Sequence, residues 1–430
     1  MAPRTRRALL GSTAAALGCL AGCGSLGDAI DGAEPTVDGA VLNEVASGET
    51  PTVRDVVPVG IEPDYVADQV ARAESVLASV PEPLDVDDVS DDTVREHTID
   101  ERAHARRHLD EVAAAPPTAS TLETVAHARG WARAAATTWA AVEGRVTDDA
   151  LFEERLAVRE DLRAFRDRWA YVGDDPAAAV VLHAVIEDRL DEGSSLFAPD
   201  APVDTLWFGE YGGDIERARA AVDHATYLYD EFVAALDRRR SLRDAFVGAA
   251  DALARTARDR QQSLPAAPDD PSSYLDGAAV DAPAGAALEG LGQHAGYVPD
   301  GDPDRHAGYV TSLHWSLTRV SAFHSLRQRV AAGEYTTVSD GDDVRRLRQD
   351  AVSAVESAAA ASGYHLTRRV LRYSVEELAH ADEELSEWDA DDAVEVDVLE
   401  RPLGGYVRIR ELARAAAGAS ATVADALRSA

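Results

Sequence analysis

The chain has 430 residues, with 77 acidic side chains against 42 basic ones and a net charge of −35. Every basic residue is arginine, and a surplus of this sign excludes nucleic acid as a partner, since such binding relies on basic patches that neutralise phosphates. It also opposes adsorption to anionic lipid headgroups, and self-repulsion of this size is tolerable only where salt shortens the screening length to about 3 Å, as at molar concentration.

Thr5-Arg6-Arg7-Ala8-Leu9-Leu10 carries a twin-arginine pair, Ala8 to Leu20 is a short apolar run, and Leu20-Ala21-Gly22-Cys23 ends small residues in a cysteine. The run is shorter than the roughly 20 residues a bilayer requires, so it reads as an export leader and not as a span. In their order and position these features resemble the Tat-exported lipoproteins of halophilic archaea and of some bacteria. The resemblance is confined to this N-terminus. It implies a signal peptide over 1–22, export in the folded state, and a two-chain lipid on Cys23 that holds the protein to the extracytoplasmic face of the cell membrane; two chains anchor stably where one is marginal. Loss of Arg4, Arg6 and Arg7 with the leader leaves 39 bases against 77 acids, a charge of −38 on 408 residues. Cys19 falls in the leader and Cys23 takes the lipid, so the processed chain is expected to have no thiol for a disulfide, a thiolate metal site or a nucleophile.

Residues 23–63, rich in Gly, Asp, Glu, Pro and Thr, read as a flexible tether. Helical spacing then begins after Pro63 with Tyr65, Val66, Val70, Ala73, Leu77 and Val80, and stops at Pro81 and Pro83. A second helix is predicted over 92–115, before Pro116-Pro117. Ser120-Thr121-Leu122-Glu123 has the capping-box pattern and opens a helix that passes Trp131 and Trp139 to Gly144. Thr147 caps the next, towards Tyr171, and Pro176 suits the first turn of another that closes near Gly193. Residues 214–263 form a long amphipathic stretch bent near 238–241 or at Gly248. Pro, Gly and Asp accumulate from 265 to 303, which reads as a connector between helical subdomains 64–264 and 304–430. Helices are predicted at 304–332, at 342–388 with a break at Gly363, and at 406–428. Alternation at Val394, Val396 and Val398 leaves a hairpin or a loop before the last of these. The fold class is all-α, with about ten helices in two packed subdomains.

Chemistry-bearing patterns are few. His97, Glu101, His104 and His108 fall at i, i+4, i+7 and i+11 of the 92–115 helix and share one stripe. Imidazoles and carboxylates so placed suit zinc, copper or iron, provided another helix completes the shell. Glu187 or Glu377 is the expected donor. Glu377-x-x-His380 repeats the Glu101-x-x-His104 spacing of di-iron bundles, but partner glutamates are not identifiable. His183 and His324 lie among apolar residues, where a hydrogen-bonded core histidine is expected. Asp300-Gly301-Asp302-Pro303-Asp304 begins like a calcium loop, with Arg305 and Thr311 where glycine and glutamate are needed. Trp207, Phe208 and Tyr211 around Gly209 and Gly212-Gly213 suggest an interhelical corner or a stacking patch. His294-Ala295-Gly296-Tyr297-Val298 recurs at His306-Ala307-Gly308-Tyr309-Val310, as two equivalent turns, a ligand loop or a product of biased composition.

No nucleophile elbow, phosphate loop or dinucleotide fingerprint is present. The function expected is therefore binding or assembly, not catalysis, on the membrane's outer face. A metal-binding protein or metalloenzyme built on the histidine stripe is the alternative. A transporter's solute-binding lipoprotein shares the N-terminal address but ordinarily has two α/β lobes. No particular cofactor is indicated.

Overall fold

A computed structural model describes residues 35–54, 56–195, 204–265, 271–275, 280, 282–295, 297–302, 304–334 and 337–430. Arg6, Arg7 and Cys23 lie outside these. Among the described residues the protein is all-α, with thirteen helices and two small antiparallel ribbons.

The first correction concerns the tether. From Thr36 onward it is part of the fold: strand β1 (Thr36–Asp38) leads into helix α1 (Gly39–Ala46), and Val37, Leu42, Val45, Val57 and Ile61 are all buried. β1 pairs with β4 (Ala393–Glu395), Val37 opposite Val394. The valine alternation near 394 thus finds its partner at the start of the chain, and no local hairpin forms.

Capping residues set the next helices. Pro63 occupies the first turn of α2 (Pro63–Leu77), where its missing N–H costs nothing. The Asp91 carboxylate accepts from the amides of Thr93 and Val94 at the head of α3 (Asp92–Ala114). The capping box of α4 (Ala119–Val142) lies two residues earlier than expected and joins Thr118 with Thr121, which leaves the Ser120 hydroxyl to accept from Arg372. Thr147 caps α5 (Asp148–Arg168) through Ala150 N–H. After strand β2 (Val172–Gly173) come α6 (Pro176–Ser195) and α7 (Thr205–Ala235). Strand β3 (Arg240–Ser241), paired with β2, separates α7 from α8 (Arg243–Gln262), as the bend at 238–241 anticipated.

The aromatic and glycine cluster near 207–213 belongs to the first turns of α7 and not to a corner. There Gly209, Gly212 and Gly213 let α7 lie directly on α4. A Cβ at Gly212 would stand 2.5 Å from Thr137 Oγ1, so only glycine permits this approach. Trp207 stacks on Tyr211 at 4.8 Å and packs the cluster of Leu151, Val158 and Ile215.

The 265–303 connector holds a helix, α9 (Ala282–Ala295), whose Ala284, Ala287, Leu288, Leu291 and Ala295 are buried against α10 (His306–Ala331) and α13 (Glu400–Ser429). The first His-Ala-Gly-Tyr-Val segment therefore closes a helix, while the second opens one, and the two turns are not equivalent. α11 (Gly341–Ala361) and α12 (His365–Ser386) divide around Gly363 as expected. α13 begins six residues before its expected start and takes Pro402 into its first turn. The main core is continuous: α6 and α7 share it with Val310, Leu313 and Leu317 of α10 and with Val423 and Leu427 of α13.

Candidate functional site

The four stripe residues on α3 do not converge on one point. Glu101 is buried; its Oε1 lies 3.1 Å from His97 Nε2, and Thr138 Oγ1 donates to its Oε2 at 3.2 Å. Burial pushes the Glu101 carboxyl up to about 8, against the opposing Thr138 bond and with help from Glu210. His104 meets the Trp131 ring edge-on at 4.7 Å. His108 pairs with Glu111 at 3.0 Å and faces the His127 ring at 5.7 Å. Among the described residues no group of three or more His, Cys, Asp or Glu side chains is placed to hold a metal ion. α3 lies on α4, which presents Trp131, His127 and Thr138 to the stripe.

Neither expected donor is near it. Glu187 of α6 is buried and accepts from the Tyr171 hydroxyl at 2.5 Å and from the amides of Ala307 and Gly308, at 3.0 and 2.5 Å, in the first turn of α10. It is a helix cap supplied from a distant helix, satisfying two orphan donors. Burial nevertheless raises its pKa to about 7, against the pull of those three bonds. Beside it Arg305 pairs with Asp188 and with Asp191 at 2.9 Å, and Arg369 reaches Asp188 at 3.2 Å. In the stretch read as the start of a calcium loop, the Asp302 carboxylate accepts from Asp304 N–H at 2.9 Å, ahead of α10.

His183 is a core histidine, as expected. Trp169 Nε1 donates to its Nδ1 at 3.1 Å, so Nε2 carries the proton and donates to the Val172 carbonyl at 2.8 Å. Burial pushes its pKa down to about 4 and keeps it neutral. His324 is half-buried, with its Nε2 3.5 Å from Ser263 Oγ, and burial lowers its pKa as well.

A cavity of about 850 Å³ opens between α10, α12 and α13. This is within the range of small-molecule pockets. α10 contributes Trp315 and Arg319 at helical spacing on one face, together with His314, whose Nε2 lies 3.0 Å from Ser420 Oγ. Burial pushes His314 down to about 3, so it lines the wall as a neutral group. α12 adds Arg369, Tyr373, Glu376, Glu377 and His380, and α13 adds Arg401 and Arg408. The Trp315 and Tyr373 rings stand 5.6 Å apart, and the Arg319 guanidinium lies over Trp315 at 4.7 Å.

Charge in the wall is almost fully matched. Glu377 accepts from Arg408 at 3.3 Å, Glu376 faces Arg372 at 3.4 Å, and Glu384 faces both Arg401 at 3.1 Å and His380 at 3.0 Å. Arg319 differs: among the described residues no hydrogen bond or ion pair reaches it, and burial lowers its pKa, offset by Glu377 and reinforced by Arg408. Sequence reasoning had singled out Glu377 and His380 of this cavity, but as metal ligands. Trp315 and Arg319 were missed; an aromatic residue four before an arginine was the one local signal for them.

Residues 64–244 match a family described as a domain of unknown function (DUF8262), and residues 243–425 match a second with the same description (DUF8264). The two meet at the first residues of α8, which packs on α10 and α13. The histidine stripe thus lies in the first match and the cavity in the second, with Glu187 bonding across. No curated protein and no solved structure matches the chain.

Proposed function

We propose that this protein is a lipid-anchored, extracytoplasmic binding protein that holds a small molecule between α10, α12 and α13 without transforming it. The observation that carries the binding reading is the cavity itself: about 850 Å³ with paired aromatic rings and convergent polar groups in its wall. Binding is favoured over catalysis because the polar groups there that resemble catalytic ones are already engaged. The Thr311 and Ser316 hydroxyls donate to backbone carbonyls, and His314 is held by Ser420. The anchoring reading is supported by Arg6-Arg7, the apolar run and Leu20 to Cys23.

Two measurements test the two halves of this reading. Cys23→Ser should abolish detergent partitioning of the chain expressed in its native host; a mutant that partitions like the wild type refutes the anchor. For binding, the wild type purified from its native membrane should release a small molecule on denaturation, identified by mass spectrometry. Ser312→Trp, which places a bulky ring at the cavity's exposed rim, should release far less. Equal release from the two, or none from the wild type, refutes binding in this cavity.

A further inference from the structure

We infer that the molecule bound in this cavity is a small organic anion with a flat, apolar body, its acid group paired with Arg319 and its body against Trp315 and Tyr373. This rests on the binding reading above and names the class of ligand.

The inference follows from the balance of charge. In a chain with 77 acids and 42 arginines, an arginine is easily supplied with a carboxylate. Arg369, Arg401 and Arg408 of the same wall each have one, at 3.2, 3.1 and 3.3 Å. Among the described residues Arg319 has only the face of Trp315. Glu377, the acid whose charge it feels, is committed to Arg408, and Arg408 itself adds a like charge nearby. A half-buried cation in that position has lost part of its hydration without a counter-charge in return, a cost that a bound anion removes. Guanidinium suits a carboxylate or another planar oxyanion because its fork donates two parallel bonds.

A cationic or zwitterionic ligand fits less well. Each glutamate of the wall already faces a cation, so no acid is spare to receive an ammonium group. Among the described residues of the wall, the unmatched charge is positive. The shape of the body follows from the rest of the wall, where Trp315, Tyr373 and Tyr297 offer ring faces and Pro299 and Pro402 rigid apolar surface. The volume accommodates a compact molecule and excludes a folded partner.

The test uses three probes with one aromatic body and different charge: benzoate, benzamide and benzylamine. Each is titrated into the full chain at one fixed molar salt concentration, so that screening is common to all, with tryptophan fluorescence or calorimetry as the readout. Benzoate should bind at least tenfold more tightly than benzamide, and benzylamine more weakly than either. Arg319→Gln should bring benzoate to the level of benzamide while leaving benzamide unchanged, and Arg319→Lys should retain the preference for benzoate. Should Arg319→Gln unfold, the order of the three probes in the wild type and in Arg319→Lys decides the matter. If benzamide or benzylamine binds as well as benzoate, the anion assignment is overturned and small-molecule binding stands. If none of the three binds, both are overturned.

Discussion

Glu101→Gln should stabilise the protein, by an amount that grows with pH. Glu101 is 1% exposed, wedged between α3 and α4 beneath Gly209 of α7, and its pKa stands at about 8 against an ordinary 4.5. Below pH 4.5 the carboxyl is protonated in both folded and unfolded chains and contributes no pH dependence. As pH rises from 4.5 to 8 the unfolded chain ionises it while the folded chain keeps the proton. Unfolding then releases a proton, and stability falls by about 1.4 kcal/mol per pH unit. The loss reaches about 3 kcal/mol at pH 7 and about 5 kcal/mol above pH 8. Glutamine copies the neutral acid and retains an oxygen for Thr138, but it brings an N–H toward His97 Nε2 and gives back about 1 kcal/mol through imperfect pairing. The variant should therefore exceed the wild type by about 2 kcal/mol at pH 7 and by more at pH 8, and should fall slightly below it, by about 0.5–1 kcal/mol, at pH 4.5. Urea unfolding at fixed molar salt, repeated at half-unit steps from pH 4.5 to 9, measures the difference directly. A gap independent of pH, or one that narrows as pH rises, refutes the assignment of Glu101 as a buried neutral acid.

Gly212→Val should destabilise the fold by about 1–3 kcal/mol, since its Cβ alone would stand 2.5 Å from Thr137 Oγ1; a melting temperature equal to wild type would show that α4 and α7 can separate freely. Arg129→Leu should cost about 3–5 kcal/mol, because Glu216 and Asp223, at 2.7 and 3.0 Å, lose a fully buried partner; the accompanying Arg129→Leu/Glu216→Leu double variant should recover part of the loss, and an unrecovered loss would mean that the pair's role is packing. The wild type should melt at higher temperature as salt rises from dilute buffer to molar concentration, by screening of its net charge of −35; a melting temperature insensitive to salt would show that the acids are balanced by internal pairing alone.

Helices were legible wherever the chain marked its own boundaries. Pro63, Thr147 and Pro176 are local devices, and each stands at the start of the helix it announced. Where boundaries depended on distant partners, the reading went astray. Residues 36–61 carry the composition of a linker, and their order comes from β1 meeting a strand more than 350 residues away and from Leu42 and Val45 entering the α11–α12 core. α9 was hidden by its glycines and prolines, although Ala284, Ala287, Leu288, Leu291 and Ala295 repeat at helical spacing; small residues give little contrast between faces. The cavity was invisible for another reason. Its walls come from three helices spread over a hundred residues, and Arg319 acquires its character from what it lacks. One arginine among 42 shows no such deficit until its neighbours are placed.

The histidine stripe and Glu187 show how the same chemistry divides between appearance and use. Imidazoles at i, i+4, i+7 and i+11 share a face, but a face binds metal only when another element brings further donors to it. α4 brings an indole, a further imidazole and a hydroxyl. Glu187 had no pattern around it beyond an apolar helix, and it joins the two halves of the chain. Its carboxyl holds the first turn of α10, and Asp188, next to it, takes Arg305 and Arg369 from the heads of α10 and α12. Both helices line the cavity, and Trp315 lies only two turns from the amides that Glu187 accepts. The cavity is therefore formed by residues of the second half, while the position of its walls depends on carboxylates from the first. A buried acid whose pKa lies close to neutral is a poor anchor for such a joint on solvation grounds alone; what secures it is the convergence of two helix amides and a tyrosine hydroxyl on one carboxyl group.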